Sequence, residues 1–477
     1  MARGESYTLT LDQGGHASRA LVFDRRGRIA AAAECPIRTR RSGRNRVEHA
    51  PQGMVRSMRA AAETALCKLP RAADVHRAAL ATQRSSIACW DRVDGRALSP
   101  VISWQDRRAA PRVAALAAHA KQVRALTGLV LSPHYGASKL AWCLGHLPAV
   151  RDAERHGRLA AGPLASFLLS GLLAEHPCLA DPVNASRTQL LDTREGRWSG
   201  FLGELFGVPL GILPACVPNR YAFGRLQLCG REIPLNVVTG DQPAALFAAG
   251  MPQAGTAYVN VGTGAFIQAV TSRDVSSLLQ SLIWRSENET LYALEGTVNG
   301  AGGALDAAAA KLGLPAGKVS RLLPGWLAAE AEPLLYLNGV GGLGSPYWRP
   351  TFATRFIGRG TVGQKLSGVL ESVAFLLMAN LDAMQGGGAG ITRVVVSGGL
   401  AQLDGLCQRL ADLSGLPVER PLLHEATALG AARLAGGIGE LAPLPRAVFT
   451  PEANPALIRR RARWQDAMQS ALLKQRA

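Results

Sequence analysis

Near the start of the chain, short apolar segments alternate with polar, glycine-containing turns. Apolar residues dominate Tyr7–Asp12, Ser18–Asp24 and Arg28–Ala33, and the first intervening turn carries Gly14 and Gly15. This pattern predicts three strands joined by tight turns in an antiparallel meander. Because glycine has no Cβ, backbone N–H groups of the first turn can approach an anion closely.

The same pattern recurs in the second half of the chain. Gly255–Asn260 and Ala265–Val270 have the composition of strands, and Val261–Gly264 between them has the composition of a glycine turn. Two copies of one anion-binding hairpin indicate a duplicated domain with a cleft between the halves.

A third glycine turn follows Arg393–Ser397, a β-branched run that predicts a buried parallel strand. Gly398 and Gly399 come directly after it, and leucines at helical spacing then predict a helix over Ala401–Ser414. The N-terminus of such a helix can bind an anion, with an ordinary strand-to-helix turn as the alternative. A longer core helix is predicted over Gln364–Gln385, where apolar residues form one stripe.

Strands and helices alternate along the whole chain, which is typical of an α/β fold. The second hairpin begins shortly after Thr239–Pro243, and this segment is the predicted domain boundary. We therefore expect an N-terminal domain over 1–243 and a C-terminal domain over 244–477.

Length and composition exclude several classes of protein. The chain has 477 residues, 48% of them hydrophobic, which favours folded domains over low-complexity disorder. The longest nearly apolar stretch, Leu164–Ala174, is shorter than the roughly 20 residues that a bilayer demands, so no membrane span is predicted. No apolar leader follows Met1, which predicts a cytoplasmic protein. Eight scattered cysteines without a C-x-x-C pair predict buried free thiols.

The formal net charge is +18, from 53 Lys and Arg against 35 Asp and Glu. A strongly basic chain can bind nucleic acid through its phosphates. Here the arginines are spread along the chain, and the densest runs, Arg38–Arg41 and Arg459–Arg463, contain no aromatic residues. We therefore expect solvated basic faces and no nucleic-acid partner.

Ten short motifs lie in one order between residues 7 and 436. They are Leu11–Gly14 with Ser18–Arg19, Thr82–Arg84, Trp104–Arg107, Asp181–Thr188, Gly240–Gln242, Gly262–Gly264, Ala293–Gly296, Gly342–Trp348, Ser397–Gly399 and Glu425–Gly430. In sequence and order they resemble the motifs of the FGGY family of carbohydrate kinases, most closely its glycerol-kinase branch. Each motif alone is a weak signal, whereas ten in register are specific.

The resemblance implies an α/β chain with two actin-like, ribonuclease-H-like ATPase domains and an interdomain active-site cleft. ATP, Mg²⁺ and a small polyol or sugar would meet there. The residues implied to hold the nucleotide are Gly14, Gly15, His16, Arg19, Gly262, Thr263, Gly264, Gly302, Gly398 and Gly399. Asp12 can position Mg²⁺, which prefers oxygen ligands, with a turn-capping role as the alternative.

Asp241 matches the family's catalytic base, which accepts the proton of the hydroxyl being phosphorylated. Its alternative role is a helix N-cap, because a helix-like run with an early proline follows it. Together with Gln242 it offers a carboxylate and an amide that can bind a diol. The residues implied to bind the substrate are Arg84, Ser85, Trp104, Tyr135, Asp241, Gln242 and Phe266.

The chain departs from the glycerol-kinase pattern at several positions. Ser85 replaces a glutamate that binds two glycerol hydroxyls, and Gly15–Ala17 lacks the hydroxyl residues of the usual phosphate turn. Leu403 replaces an asparagine on the adenosine side, and Asp306 replaces a glutamine. Glycerol is the nearest single substrate, and another polyol or sugar is the alternative. A non-catalytic sugar- or nucleotide-binding protein is a further alternative. The sequence leaves the oligomeric state undetermined, with a homo-oligomer among the alternatives.

Overall fold

The computed structural model describes residues 6–43, 45–70, 73–329, 332–422, 425–436, 438 and 445–474. They form two compact units, each assembled from three segments. The first unit draws on Met1–Pro252, Ser281–Tyr292 and His424–Pro443, and the second on Gln253–Gln280, Ala293–Leu423 and Leu444–Ala477. The domain boundary at 243 stays a prediction, and the chain start, on which the expectation of no leader rests, lies outside the described residues.

The elements are numbered along the chain. The strands are β1 (Ser6–Gln13), β2 (Ala17–Asp24), β3 (Ile29–Pro36), β4 (Thr39–Ser42), β5 (Arg46–His49), β6 (Asp74–Thr82), β7 (Ile87–Asp91), β8 (Val101–Ile102), β9 (Leu159–Pro163), β10 (Leu179–Ala180), β11 (Leu191–Asp192), β12 (Arg197–Trp198), β13 (Ala215–Cys216), β14 (Arg220–Leu228), β15 (Arg231–Gly240), β16 (Thr256–Val261), β17 (Ala265–Val270), β18 (Leu279–Arg285), β19 (Thr290–Val298), β20 (Leu335–Leu337), β21 (Arg355–Ile357), β22 (Arg393–Ser397), β23 (Val418–Pro421) and β24 (Arg446–Phe449). The α-helices are α1 (Pro51–Leu66), α2 (Ala110–Ala115), α3 (Ala120–Thr127), α4 (Gly136–His146), α5 (Pro148–Arg155), α6 (Leu164–Leu172), α7 (Pro182–Ser186), α8 (Gly200–Phe206), α9 (Asp241–Leu246), α10 (Gly302–Lys311), α11 (Ala316–Ala329), α12 (Val362–Gly386), α13 (Asp404–Ser414), α14 (Ala426–Leu434) and α15 (Pro455–Lys474).

The first unit is built around a six-stranded sheet in the order β14–β15–β6–β1–β2–β3. The predicted meander is confirmed, because β1, β2 and β3 pair antiparallel in sequence. Strand β6 pairs parallel with both β1 and β15, and every residue of β1 is buried. Helix α1 packs its apolar face, including Met54 and Met58, into the same core as Leu9 and Leu11.

A second sheet of the first unit has the order β4–β5–β8–β7–β9. All residues of β7 and β9 are buried, which explains their nearly continuous apolar sequence. Ile87 and Ile102 pair across this sheet and pack in a core with Leu140 and Val150, from α4 and α5. This layer carries the loops that follow β6 and β8.

In the second unit, strands lie side by side in the order β19–β17–β16–β22–β23–β24. The predicted second hairpin is confirmed as β16 and β17, and β22 pairs parallel with β16 as expected. The predicted core helix is α12, whose N-terminus is fixed by a capping box between Thr361 and Gln364. The unit's core packs around α12.

One helix of the described chain has the length and composition of a membrane span. Helix α12 is long and apolar enough to cross a membrane by length and composition. Isolated polar residues along it interrupt the apolar run in the sequence. Its most apolar window is 83% buried inside the structure. Burial on most of its circumference is the environment of a core helix.

The prediction of buried thiols is right only in part. Cys89, Cys143 and Cys407 are buried, and Cys35, Cys178 and Cys216 are half-buried. Cys67 and Cys229 are exposed, because the first directly follows α1 and the second lies in the tight turn between β14 and β15.

Candidate functional site

Three parallel strands of the first unit end at one edge of the six-stranded sheet. In the sheet register, Gln13 of β1 and Gly240 of β15 both lie opposite Thr82, the last residue of β6. Asp12 precedes the first of these ends, and Asp241 follows the second. Because ligands of open α/β sheets bind at the carboxyl ends of strands, this edge is the expected position of a site.

Asp12 is buried and bonded to an arginine. Antiparallel pairing places Arg19 directly opposite Asp12, and the Arg19 guanidinium donates to the Asp12 carboxylate. Burial raises the pKa of Asp12 to about 6, which Arg19 opposes and the charges of Asp241 and Glu425 reinforce. Three carboxylates therefore act on one another at this edge of the sheet.

Glu425 forms an ion pair with the other terminal nitrogen of the Arg19 guanidinium. Arg19 Nη1 donates to Glu425 Oε2 at 2.6 Å. Glu425 itself has a φ of 58° and directly precedes α14. The sequence motif that begins at Glu425 was recognised, but no role was predicted for this carboxylate.

Asp241 opens helix α9. The N-cap is Gly240 and not Asp241, so the alternative capping role is wrong: Asp241 already has helical geometry. Its Oδ1 accepts the N–H of Gln242 at 2.7 Å, and its carbonyl accepts the hydroxyl of Thr427 at 3.3 Å. Burial raises the pKa of Asp241, while the positive charges of Arg84 and Arg187 oppose that shift.

Arg84 and Gln242 are brought together beside Asp241. Arg84 is 8% exposed, and its Nη2 donates to the side-chain oxygen of Gln242. Arg84 lies so close to Gly240 that a Cβ at that glycine would be 2.5 Å from Arg84 Cδ. Glycine is therefore required in the Gly-Asp-Gln motif for the arginine to lie there.

Trp104 lies in a hydrogen-bonded loop after β8. Its N–H donates to Ser86 Oγ at 3.0 Å, and its carbonyl accepts from Arg107 Nη1 at 2.8 Å. Asp106 in the same loop is fully buried and accepts from the N–H of Val47 at 2.7 Å and from Arg108. Burial alone would raise the pKa of Asp106, but the hydrogen bonds from Arg108 lower it.

Tyr135 belongs to an aromatic cluster with a histidine that sequence reasoning missed. The ring of His134 lies 5.6 Å from that of Trp104 and 4.9 Å from that of Tyr135, centroid to centroid. Burial, followed by the charges of Lys139 and three arginines, lowers the pKa of His134 well below its usual value. A neutral imidazole therefore joins the two predicted aromatic residues.

Ser85 is buried with a φ of 64°, and in the described part of the chain its hydroxyl has no hydrogen-bond partner. Its carbonyl accepts from Lys139 Nζ at 3.0 Å, and the same ammonium donates to the carbonyl of His134 at 2.6 Å. Lys139 is fully buried and so connects the Arg84–Ser85 segment to the His134–Tyr135 segment. Nothing in a lone lysine of an amphipathic helix pointed to this role.

A buried polar network supports the end of β6. Asp181 accepts from the N–H of Asn184 at 3.0 Å and so caps α7, and Asn184 accepts from the Thr82 hydroxyl at 3.2 Å. Arg187 follows α7, is 3% exposed and donates to Ser281 Oγ at 2.8 Å. Its charge acts on Asp241. The motif was recognised in the sequence, but this arginine was not selected.

The predicted phosphate turn Gly14–Ala17 joins β1 to β2. Its tight form is set by the N–H of Gly14, which donates to the Ala17 carbonyl at 3.0 Å. The His16 side chain is exposed, and Gly15 lies beside Gln83. These positions therefore offer backbone groups and an imidazole, together with Arg19, at the edge that carries Asp12 and Asp241.

The predicted nucleotide residues of the second unit also come together. Thr263 is exposed at the tip of the β16–β17 hairpin, and its carbonyl accepts the N–H groups of Ala301 and Gly303 at 2.9 Å. A Cβ at Gly302 would lie 2.8 Å from the carbonyl oxygen of Gly262. The hairpin therefore packs on the N-terminus of α10 and satisfies its first N–H groups, so that the positive end of the helix macrodipole is what favours an anion there.

Gly398 lies at the end of β22, parallel to β16 and beside the same hairpin. It has a φ of 94°, and a Cβ there would be 2.6 Å from the Val261 carbonyl oxygen. The predicted helix start at Ala401 is wrong. A 3₁₀ turn covers Gly399–Gln402, and α13 begins at Asp404 because Leu403 is extended. A pocket of about 300 Å³ opens here, and its lining includes Leu327 and Leu403.

Phe266 lies in β17 of the second unit and is half-buried, opposite Asn260 in the hairpin register. The remaining predicted substrate residues all lie in the first unit. A role for Phe266 in substrate binding therefore stays a prediction.

Magnesium suits the donor set at the first unit's edge. Mg²⁺ is usually bound by one or two carboxylates together with substrate phosphates and water, rather than by an all-protein cage. The described residues contain no group of three or more His, Cys, Asp or Glu side chains that could hold an ion alone. Burial and, to a smaller extent, the charges of Asp241 and Glu425 destabilise the Asp12 anion, and a bound cation would act with Arg19 to compensate that charge.

Comparison with known proteins adds a family match over most of the chain. The N-terminal domain model of the FGGY family of carbohydrate kinases matches residues 7–248, and the C-terminal domain model matches residues 257–437. A glycerol kinase of Methylibium petroleiphilum is 36% identical, over 98% of this chain and 99% of its own. A glycerol kinase of Trichlorobacter lovleyi is also 36% identical, over 90% of each chain.

Solved structures share the fold at lower identity. The glycerol kinase of Plasmodium falciparum, crystallised with ADP, has a TM-score of 0.88 and 21% identity, over 98% of this chain and 99% of its own. A xylulose kinase of Rhodospirillum rubrum has a TM-score of 0.85 and 21% identity, over 97% and 98% of the two chains. These similarities confirm the predicted fold of two actin-like, ribonuclease-H-like domains.

Proposed function

Because the chain belongs to the FGGY family of carbohydrate kinases, which transfer phosphoryl groups to alcohol acceptors, we propose that it phosphorylates a terminal hydroxyl of a small polyol or sugar with ATP. Glycerol is the nearest single substrate, and the identity to glycerol kinases supports it. Another polyol or sugar is the alternative, and Ser85 favours it because a serine there lacks the family's carboxylate.

The observation that carries this proposal is the grouping of Asp241 with Arg84 and Gln242. The acceptor oxygen attacks the γ-phosphorus, and the bond from that phosphorus to the bridging oxygen breaks, so that ADP leaves with the electron pair. The hydroxyl proton passes to the Asp241 carboxylate. Burial raises the pKa of this carboxyl, which brings its proton affinity closer to that of an effective general base at neutral pH.

Arg84 and Gln242 orient the acceptor. A guanidinium offers several N–H donors in a fixed plane, and an amide offers both a donor and an acceptor, so the pair suits adjacent hydroxyls. Trp104, Tyr135 and His134 supply apolar ring faces for the C–H groups of the acceptor. Lys139 keeps the segments that carry these residues in place through its two carbonyl contacts.

The glycine turns bind the nucleotide in this proposal. Phosphoryl transfer depends on neutralising charge on the phosphates, and the glycine turns, which lack side chains that would keep a phosphate at a distance, serve this end. Arg19 contributes a positive charge, and Asp12 holds Mg²⁺, which supplies further neutralisation when bound. The pocket beside Leu403 takes the adenosine.

The test is an assay of ADP release over a panel of polyols and ketoses, with purified protein and Mg·ATP. Turnover with glycerol as the best acceptor supports the specific proposal, and turnover only with another acceptor supports the alternative. The Asp241→Asn variant is the matched control for contaminating kinases. ATP binding by calorimetry without ADP release on any acceptor would overturn the kinase proposal and favour a binding protein.

A further inference from the structure

Two exposed cysteines of the first unit lie in contact although 162 positions separate them. The Sγ atoms of Cys67 and Cys229 are 3.6 Å apart. Cys67 directly follows α1, and Cys229 lies in the turn that joins β14 to β15. Asp241 follows the far end of β15, a ten-residue strand that rises about 33 Å, so the pair is remote from the candidate active site.

Backbone geometry fixes both thiols. Cys229 and Gly230 have φ values of 49° and 71°, which define a tight hairpin turn and leave Cys229 little freedom. The carbonyl of Glu63 in α1 accepts the N–H of Cys67 at 2.9 Å and faces the Cys229 thiol at 3.8 Å. Arg59 of α1 adds a contact to the Gln227 carbonyl in the same hairpin at 3.3 Å.

A second pair of thiols provides a contrast within the chain. Cys89 and Cys143 are also close enough to interact, but they are 1% and 0% exposed. A reagent in solution has no access to that pair. Among the described cysteines, only Cys67 and Cys229 are both exposed and in contact with another thiol.

We propose that Cys67 and Cys229 are a redox modification site that a low-molecular-weight disulfide, such as oxidised glutathione, converts to an intramolecular disulfide. One cysteine thiolate attacks a sulfur of the glutathione disulfide and releases one glutathione thiol, leaving a mixed disulfide on the protein. The second thiolate attacks the protein sulfur of that bond and releases the second glutathione. The two cysteines lose two electrons in total, and two glutathione thiols form.

The disulfide ties the end of α1 to the β14–β15 hairpin. Cross-linking residues far apart in sequence removes conformational freedom from the unfolded chain, so the oxidised protein is the more stable form. Disulfides in reducing compartments are generally transient, and an exposed one of this kind is reversible by the glutathione pool.

The experiment treats the purified full chain with oxidised glutathione, blocks the remaining thiols and maps the peptides by mass spectrometry. We expect the loss of two free thiols and one cross-link, between the peptides of Cys67 and Cys229. Dithiothreitol reverses the cross-link, and the oxidised form unfolds at a temperature higher by on the order of 5 °C. Cys67→Ser and Cys229→Ser each abolish the cross-link and leave a glutathione adduct on the remaining cysteine.

Cys35→Ser is the matched control, because Cys35 is half-buried in the same unit and plays no part in the pair. This variant retains the cross-link. The proposal is overturned if wild type gains only separate glutathione adducts, or if the recovered cross-link joins any other two cysteines. Neither outcome depends on kinase activity.

Discussion

Arg19 Nη1 and Glu425 Oε2 lie 2.6 Å apart, which joins two residues separated by 406 positions in the chain. The same guanidinium contacts Asp12, so the arginine lies between two carboxylates. Glu425 precedes α14, which packs against α9 and its first residue, Asp241. The ion pair therefore connects the Asp12 strand end to the helix that supports Asp241.

Glu425→Gln should raise KM for Mg·ATP more than it raises KM for the acceptor. The variant removes one of the two charges that orient Arg19, and hydrogen bonds to charged groups contribute roughly 1.5–3 kcal/mol. We expect KM for Mg·ATP to rise about tenfold while KM for the acceptor stays within about twofold. Glu175→Gln, which removes an exposed partner of Arg225, is the control with unchanged kinetics. An equal rise in both KM values would contradict an orienting role.

Gly430→Ala should destabilise the first unit. A Cβ at Gly430 would lie 1.8 Å from the carbonyl oxygen of Ala244, so α14 and α9 could not pack as they do. Forced overpacking typically costs about 1–3 kcal/mol. We expect a loss of that size in urea denaturation, together with reduced turnover. Gly145→Ala in α4 has open space and is the control; equal stability of the two variants would contradict the close approach of the helices.

Much of the fold follows from local sequence pattern. The meander β1–β3, the hairpin β16–β17 and the long helix α12 were predicted because glycine turns and apolar periodicity are properties of contiguous residues. The start of α13 was predicted three residues too early, since leucines at helical spacing continue through the 3₁₀ turn at Gly399–Gln402.

The site was predictable where a motif is contiguous and was missed where it depends on tertiary contacts. Asp241 and Gln242 are adjacent in sequence, whereas Lys139 reaches the carbonyl of Ser85 across 54 positions. His134 gave no signal, because a histidine beside a tyrosine is ordinary in sequence and its burial comes only from the packing around it. The exposure of Cys67 and Cys229 likewise depends on where a helix and a hairpin meet.

Ser85→Glu should improve glycerol as an acceptor. The new carboxylate would accept hydrogen bonds from the hydroxyls of an acceptor bound beside Arg84, and a gain of about 1.4 kcal/mol raises kcat/KM about tenfold. Ser85→Gln has the same shape without the charge and shares any strain from the positive φ, so it isolates the carboxylate. Unchanged kinetics for both variants on every acceptor would place residue 85 outside the pocket.

Titration of the buried Asp12 carboxyl should make the free energy of unfolding depend on pH. Burial raises its pKa from 3.8 to about 6, so the folded chain binds this proton more tightly than the unfolded chain. The stabilisation is complete below about pH 4 and is lost as pH rises through about 6. We expect the free energy of unfolding of wild type, relative to Asp12→Asn, to be larger near pH 5 than near pH 7.5 in urea titrations. A difference that grows with pH would contradict the raised pKa.

Asp241→Asn tests the central claim, that this carboxylate is the base of a phosphoryl transfer. The amide keeps the side-chain shape and the contact of the Asp241 carbonyl with Thr427, so the fold should survive. Losing a general base typically costs on the order of 10²–10⁴ in rate. The decisive measurement is kcat for ADP release on the best acceptor, beside the calorimetric Kd for ATP. We predict a fall in kcat of that size with Kd within about twofold, whereas turnover above about a third of wild type would remove Asp241 from the role of base.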